Sequence, residues 1–214
     1  MISEPINKDD VKAVWRNYEI MRPGSREPAQ LLTLGNSPHN TSFGFAAERP
    51  FGDFAVYNLY NETEATQSLS LDFEAAGLPK GVKCAVFDFW ENKVIGYATD
   101  TYTTTPLEQY SSALLRFTPI TSERPTLVGS DLHLSIGATE IDDLLVSKSS
   151  IVVELSDAGA QNGSLTFYSQ QDLVAAGAEN CKVTSVKNLG GNLWQVNVAD
   201  RLWGTAQSIQ LKIQ

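Results

Sequence analysis

The chain has 214 residues, 42% of them hydrophobic and 19% charged, with a net charge of −9. That length suits one large domain or two small ones at roughly 100–200 residues each, with apolar residues enough for a substantial core and too few charges for a disordered chain. The acidic balance and the scattered lysines and arginines argue against nucleic acid as a partner, and no stretch approaches the ~18 consecutive apolar residues of a membrane span.

Met1 to Asp10 is polar and lacks an apolar signal core. Asn7-Lys8-Asp9-Asp10 before Val11, Val14, Trp15 and Tyr18 predicts a short helix through about Ile20, closed by Arg22-Pro23-Gly24. The stretch to about His39, with Pro28, Gly35 and Pro38, reads as irregular. The hydrophobic period then changes to two. Strands are expected over 54–60, 68–73, 82–90, 94–96, 99–105 and 111–118, with turns at Gly77–Gly81 and Glu91–Lys93. Pro119 to Pro125 reads as a linker. Further strands are expected over 141–146, 151–155, 164–168, 181–186, 193–198 and 209–213, with one helical turn near Gln171–Ala176.

Many short strands separated by glycine and asparagine turns predict an all-β fold of two antiparallel β-sandwich modules with a short N-terminal helix. The expected division is 1–39 for the helix and irregular lead-in, 40–125 for the first sandwich and 126–214 for the second. Helices do not alternate with strands, so neither a (β/α)₈ barrel nor a dinucleotide-binding domain is expected.

Several strings carry a resemblance. Pro50-Phe51-Gly52-Asp53-Phe54-Ala55-Val56-Tyr57-Asn58-Leu59-Tyr60-Asn61 resembles a motif in the C-terminal β-sandwich of the α-galactosidase (melibiase-like) glycoside hydrolases. Leu71-Asp72-Phe73, Gly77-Leu78-Pro79, Val86-Phe87-Asp88-Phe89-Trp90-Glu91 and Leu114-Leu115-Arg116 follow in the family's order. The segment Arg124 to Gly137 resembles the crossing into a further β-module of some bacterial members. The resemblance covers about residues 48–140. It implies that residues 1–39 lead out of a catalytic barrel which this chain lacks. The family's two catalytic aspartates stand on barrel strands, so no catalytic residue is carried over.

Each candidate residue also has a plain structural role. Asp142-Asp143 lie next to each other on a strand and so point to opposite faces, which suits a solvated edge. Asp88 is expected to hold a turn. Ser130-Asp131-Leu132-His133 suggests a Ser/Asp/His set, but a triad is made by proximity in space, and His133 is read as a structural histidine at a joint between modules. Asp157, Gln161 and Asn162 are a weak calcium set. Cys84 and Cys181 read as buried free thiols, with their pairing left open. Trp90 and Trp194 are expected in cores, and Trp15 on the N-terminal helix is expected to pack on the sandwich or an absent neighbour. Trp203, in Arg201-Leu202-Trp203-Gly204-Thr205, is the sugar-stacking candidate.

The expected function is therefore a non-catalytic accessory module of a glycoside hydrolase, stabilising or flanking a catalytic (β/α)₈ barrel in cis or in trans. No metal or other cofactor is expected. The alternatives are a carbohydrate-binding module using exposed aromatics and a surface interaction domain. A face left without its barrel would be an exposed apolar patch and would favour self-association.

Overall fold

The computed structural model describes residues 30–33, 40–121 and 123–214. The helix expected near Val11–Ile20, with Trp15, and His39 lie outside the described residues. Among the described residues the fold is all-β, with sixteen strands and only antiparallel pairing.

The first sheet takes β1 (Gln30–Thr33), β2 (Asn40–Ala47), β3 (Phe54–Asn61), β4 (Ser70–Asp72), β5 (Lys83–Asp88), β6 (Lys93–Thr99), β7 (Thr101–Thr103) and β8 (Ser112–Pro119), in the order β1-β2-β3-β8-β5-β6-β7-β4. It does not lie flat. β6 and β7 share a single pair, Thr99↔Thr101, around Asp100 at φ 63°. This corner folds β7 and β4 back over the sheet. Leu69, Leu71 and Phe73 thereby close an inner core against Tyr57, Leu59, Cys84, Val86, Leu115 and Phe117. Asp100 fixes the corner by accepting the Gly81 N–H at 2.7 Å.

Two four-stranded sheets follow. One is β10 (Ile141–Val146), β11 (Ser150–Leu155), β16 (Gln207–Ile213) and β13 (Leu173–Glu179), in that order. The other is β14 (Lys182–Gly190), β15 (Leu193–Ala199), β12 (Gly163–Tyr168) and β9 (Thr126–Ser130). Their alternation is regular: Trp194, Val196 and Val198 of β15 meet Ile151 and Val153 of β11 and Ile209 and Leu211 of β16 in one core. This C-terminal sandwich follows the ordinary rule that residues i, i+2 and i+4 share a face.

The structure corrects several readings. Gln30–Thr33, placed in the irregular lead-in, is a strand paired with β2. No strand was expected over 40–47 or 126–130, where β2 and β9 each carry a glycine mid-strand. A Cβ on Gly44 would lie 2.3 Å from Tyr57 Cδ1, and one on Gly129 would lie 2.2 Å from Phe87 Cδ2. Each glycine is a berth for an aromatic ring rather than a strand breaker. The helical turn expected near Gln171–Ala176 is instead the start of β13, whose bulge between Ala175 and Gly177 blurs its period.

Candidate functional site

Both faces of the first sheet are apolar, because β3, β5 and β8 alternate two apolar sets. The outer face carries Phe54, Val56 and Phe87, and it is divided in two. In one half, strand register sets Phe45, Val56, Arg116 and Phe87 side by side. The β9–β10 connection covers this half with Ile136 and Ala138. Arg116 is its hub. Its guanidinium lies 3.6 Å from the Phe54 ring centroid. Its Nε donates to Thr118 Oγ1 at 2.8 Å, and its two terminal nitrogens donate to the carbonyls of Ile136 and Leu127, the latter at 2.8 Å. Burial pushes the Arg116 pKa down to about 9, against the opposing pull of the Glu140 carboxylate.

Glu140 is itself fully buried. It accepts the Gly137 N–H at 2.7 Å and the Ser135 hydroxyl at 3.0 Å. Gly137 stands at φ 103°, and a Cβ there would meet Arg116 Nη1 at 2.2 Å, so the arginine and the glycine require each other. Ile136, at φ 47°, is a β-branched residue in the left-handed region, a conformation the surrounding contacts must hold.

The adjacent half of the same face is covered only in part: Phe89 is buried with Ile136 and Ala138, Leu114 packs partly buried against them, and the two ends of the row are open. Register places Phe43 opposite Asn58, and Asn58 opposite Leu114. The Phe89 N–H donates to the Leu114 carbonyl at 3.0 Å, and Trp90 stands edge-on to Phe89 at 4.9 Å. Phe43, Asn58, Leu114, Phe89 and Trp90 thus form one lateral row over four strands, about 14 Å from β2 to β5 at ~4.8 Å per strand. Phe43 is 52% and Trp90 60% exposed. Trp90, expected in a core, is the most exposed of the large hydrophobics in the described residues. The cause is local: β5 ends at Asp88, whose carboxylate accepts the Glu91 N–H at 3.0 Å and turns Trp90 outward.

No family model matches this chain, and no curated protein matches it. Solved structures do overlap with it. A β-L-arabinopyranosidase of glycoside hydrolase family 27 from Geobacillus stearothermophilus shares 14% identity over 45% of this chain and 20% of that enzyme, with a TM-score of 0.37. An isomalto-dextranase from Arthrobacter globiformis shares 15% identity over 81% of this chain and 33% of that enzyme, with a TM-score of 0.29. The chain thus spans about a fifth to a third of the length of these enzymes. The structural neighbours are glycoside hydrolases, the class that the strings from Pro50 to Gly137 resemble.

The remaining candidates fall in separate places. His133 is buried, and its Nδ1 accepts the Ser135 N–H at 3.0 Å, as suits a structural histidine at the joint. Asp131 accepts from Asn92 Nδ2 at 3.1 Å and from the Ser164 N–H at 2.5 Å. This ties the β5–β6 turn to β12 at the floor of an open polar cleft of ≈520 Å³, whose walls include Thr184, Lys187 and Asn197. Asp142 is exposed, and Asp143 accepts the Leu144 N–H at 2.8 Å. Asp157 accepts the Gly204 N–H at 2.9 Å and Asn162 Oδ1 accepts the Asp200 N–H at 3.1 Å, so both side chains tie the β11–β12 connection to the β15–β16 connection. No group of three or more metal-binding side chains occurs among the described residues. Trp194 is in the core, as expected, whereas Trp203 is 41% exposed beside exposed Leu202. Cys84 and Cys181 are both free, Cys84 buried and Cys181 half-buried. No helix among the described residues is long and apolar enough to cross a membrane.

Proposed function

We propose that this chain is a non-catalytic β-module of a glycoside hydrolase resembling the α-galactosidases, and that it buries the row from Phe43 to Trp90 against a catalytic (β/α)₈ barrel. The observation that carries the reading is the unequal covering of one sheet face. Half of the apolar face is buried by the C-terminal sandwich, while the neighbouring row, buried at Phe89 and half-buried at Asn58 and Leu114, leaves Phe43 and Trp90 exposed at its two ends. An apolar strip of this kind marks an interaction surface. The polar amide of Asn58 in its middle would select a partner offering a hydrogen-bonding group at that point. The resemblance of Pro50 to Asn61, within which Asn58 lies, supplies the class of partner.

The test mixes this chain with the catalytic barrel of a family 27 glycoside hydrolase produced without its own C-terminal β-domain. Complex formation should raise the barrel's Tm, and Phe43→Asp should abolish the rise. Failure of the two to associate would count against the partner named here. Turnover of aryl glycosides by the purified chain alone would overturn the non-catalytic role.

A second reading rests on Leu202 and Trp203, two neighbouring apolar residues exposed on one loop. They would stack on a sugar ring, with binding on a glycan array that Trp203→Ala removes.

A further inference from the structure

On the side of the joint where Pro119 leads toward β9, the first sheet and the C-terminal sandwich border a half-open cavity of ≈170 Å³. Arg116 and Arg124 both line it, with Asp53, Phe51, Pro79 and Leu127 among the other walls. We propose that this cavity binds a small organic carboxylate, whose anion pairs with Arg124 above the buried charge of Arg116 and whose apolar body lies against Phe51, Pro79 and Leu127. The inference is separate from the barrel-docking reading and does not depend on it.

Two features argue for an anion. A fully buried cation is costly unless it is paired and hydrogen-bonded. Arg116 is 1% exposed, yet it donates to a hydroxyl and two neutral carbonyls, and no described carboxylate forms an ion pair with it within 4.0 Å. Glu140 acts on it only through the wider field, and the desolvation of the guanidinium outweighs that pull. The second feature is Arg124, an exposed cation placed at the same cavity in a chain whose net charge is −9. Asp53, also exposed, opposes the anion from the rim. The apolar walls separate an organic carboxylate from a bare oxyanion, and the volume lies below the ~300 Å³ at which pockets for drug-sized ligands begin.

The experiment is calorimetric and thermal titration of the full chain with benzoate, propionate and sulfate at fixed ionic strength. Benzoate or propionate should bind and raise Tm, and sulfate should bind more weakly. Arg124→Ala should weaken the binding about tenfold, the loss of one charge-assisted contact. Asp53→Asn should strengthen it about two- to threefold by removing a like charge near the surface. Both positions are exposed, so both variants should fold. Absence of binding by either carboxylate, equal binding of sulfate, or indifference to Arg124→Ala would each overturn the proposal.

Discussion

The two halves of the first sheet's outer face are built from the same strands in the same alternation, yet they are covered to different degrees. The row Phe45, Val56, Arg116, Phe87 lies under the β9–β10 connection, while in its neighbour Phe89 is buried, Asn58 and Leu114 are half-buried, and Phe43 and Trp90 stand exposed at the ends. Two residues along each strand, about 7 Å, separate them. Burial in this molecule is thus decided by what lies above a row rather than by its composition. An exposed Trp beside a buried Phe is the mark of the boundary.

The sharpest way to break the comparison is to remove the hub of the covered half. Arg116→Ala would leave the buried carbonyls of Ile136 and Leu127 and the Thr118 hydroxyl without their donor and would empty the space under the Phe54 ring, at a cost of about 3–5 kcal/mol. Urea denaturation measures it, and a cost below about 1 kcal/mol would show that the joint does not depend on this arginine. Phe87→Ala should cost about as much, ~3–5 kcal/mol, since its ring is buried and roofs Gly129.

Gly129→Ala comes next, at about 1–3 kcal/mol or more, because the Phe87 ring must move aside for the new methyl. An Ala variant as stable as the parent would mean the joint can slide. A milder effect concerns Cys84, whose thiol burial pushes up to about 11 from an ordinary 9.0. The folded chain keeps this proton where the unfolded chain releases it. The stabilisation is therefore complete below pH 9 and is lost as pH rises toward 11. Tyr57 and Tyr102, also raised by burial, act in the same direction at higher pH. Cys84→Ala should flatten the lower part of that limb in a pH series of melting curves. Smallest of all is Phe43→Ala, expected to change stability by no more than ~0.5 kcal/mol while reducing self-association in light scattering. A loss of several kcal/mol there would mean that Phe43 is covered in solution and that this end of the row is not open.

Much of the fold was legible because the C-terminal sandwich obeys the simple period. Ile141–Val146 was expected within the bounds observed, and β11, β12, β15 and β16 within two residues. What escaped was structure made by pairs distant in sequence. Gly44 and Gly129 look like breaks until Tyr57 and Phe87 are seen lying over them. Trp90 reads as the end of a buried strand until Asp88 is seen closing the turn. The candidate site escaped for the same reason. Phe43, Asn58, Leu114 and Phe89 become neighbours only through the register of β2, β3, β8 and β5, and alternation along one strand says nothing about which residue of another will lie beside it.

The placement of the two cysteines has a further use. Cys84 is sealed in the inner core of the curled first sheet, while Cys181 sits half-buried in the other half of the molecule, its thiol 3.4 Å from the Ser208 carbonyl. An alkylating reagent would reach Cys181 through small local fluctuations, but Cys84 only when the corner at Asp100 releases β4 and β7. The chain therefore carries two chemical clocks of different depth. Comparing their rates would tell whether the two halves open as one unit or one after the other.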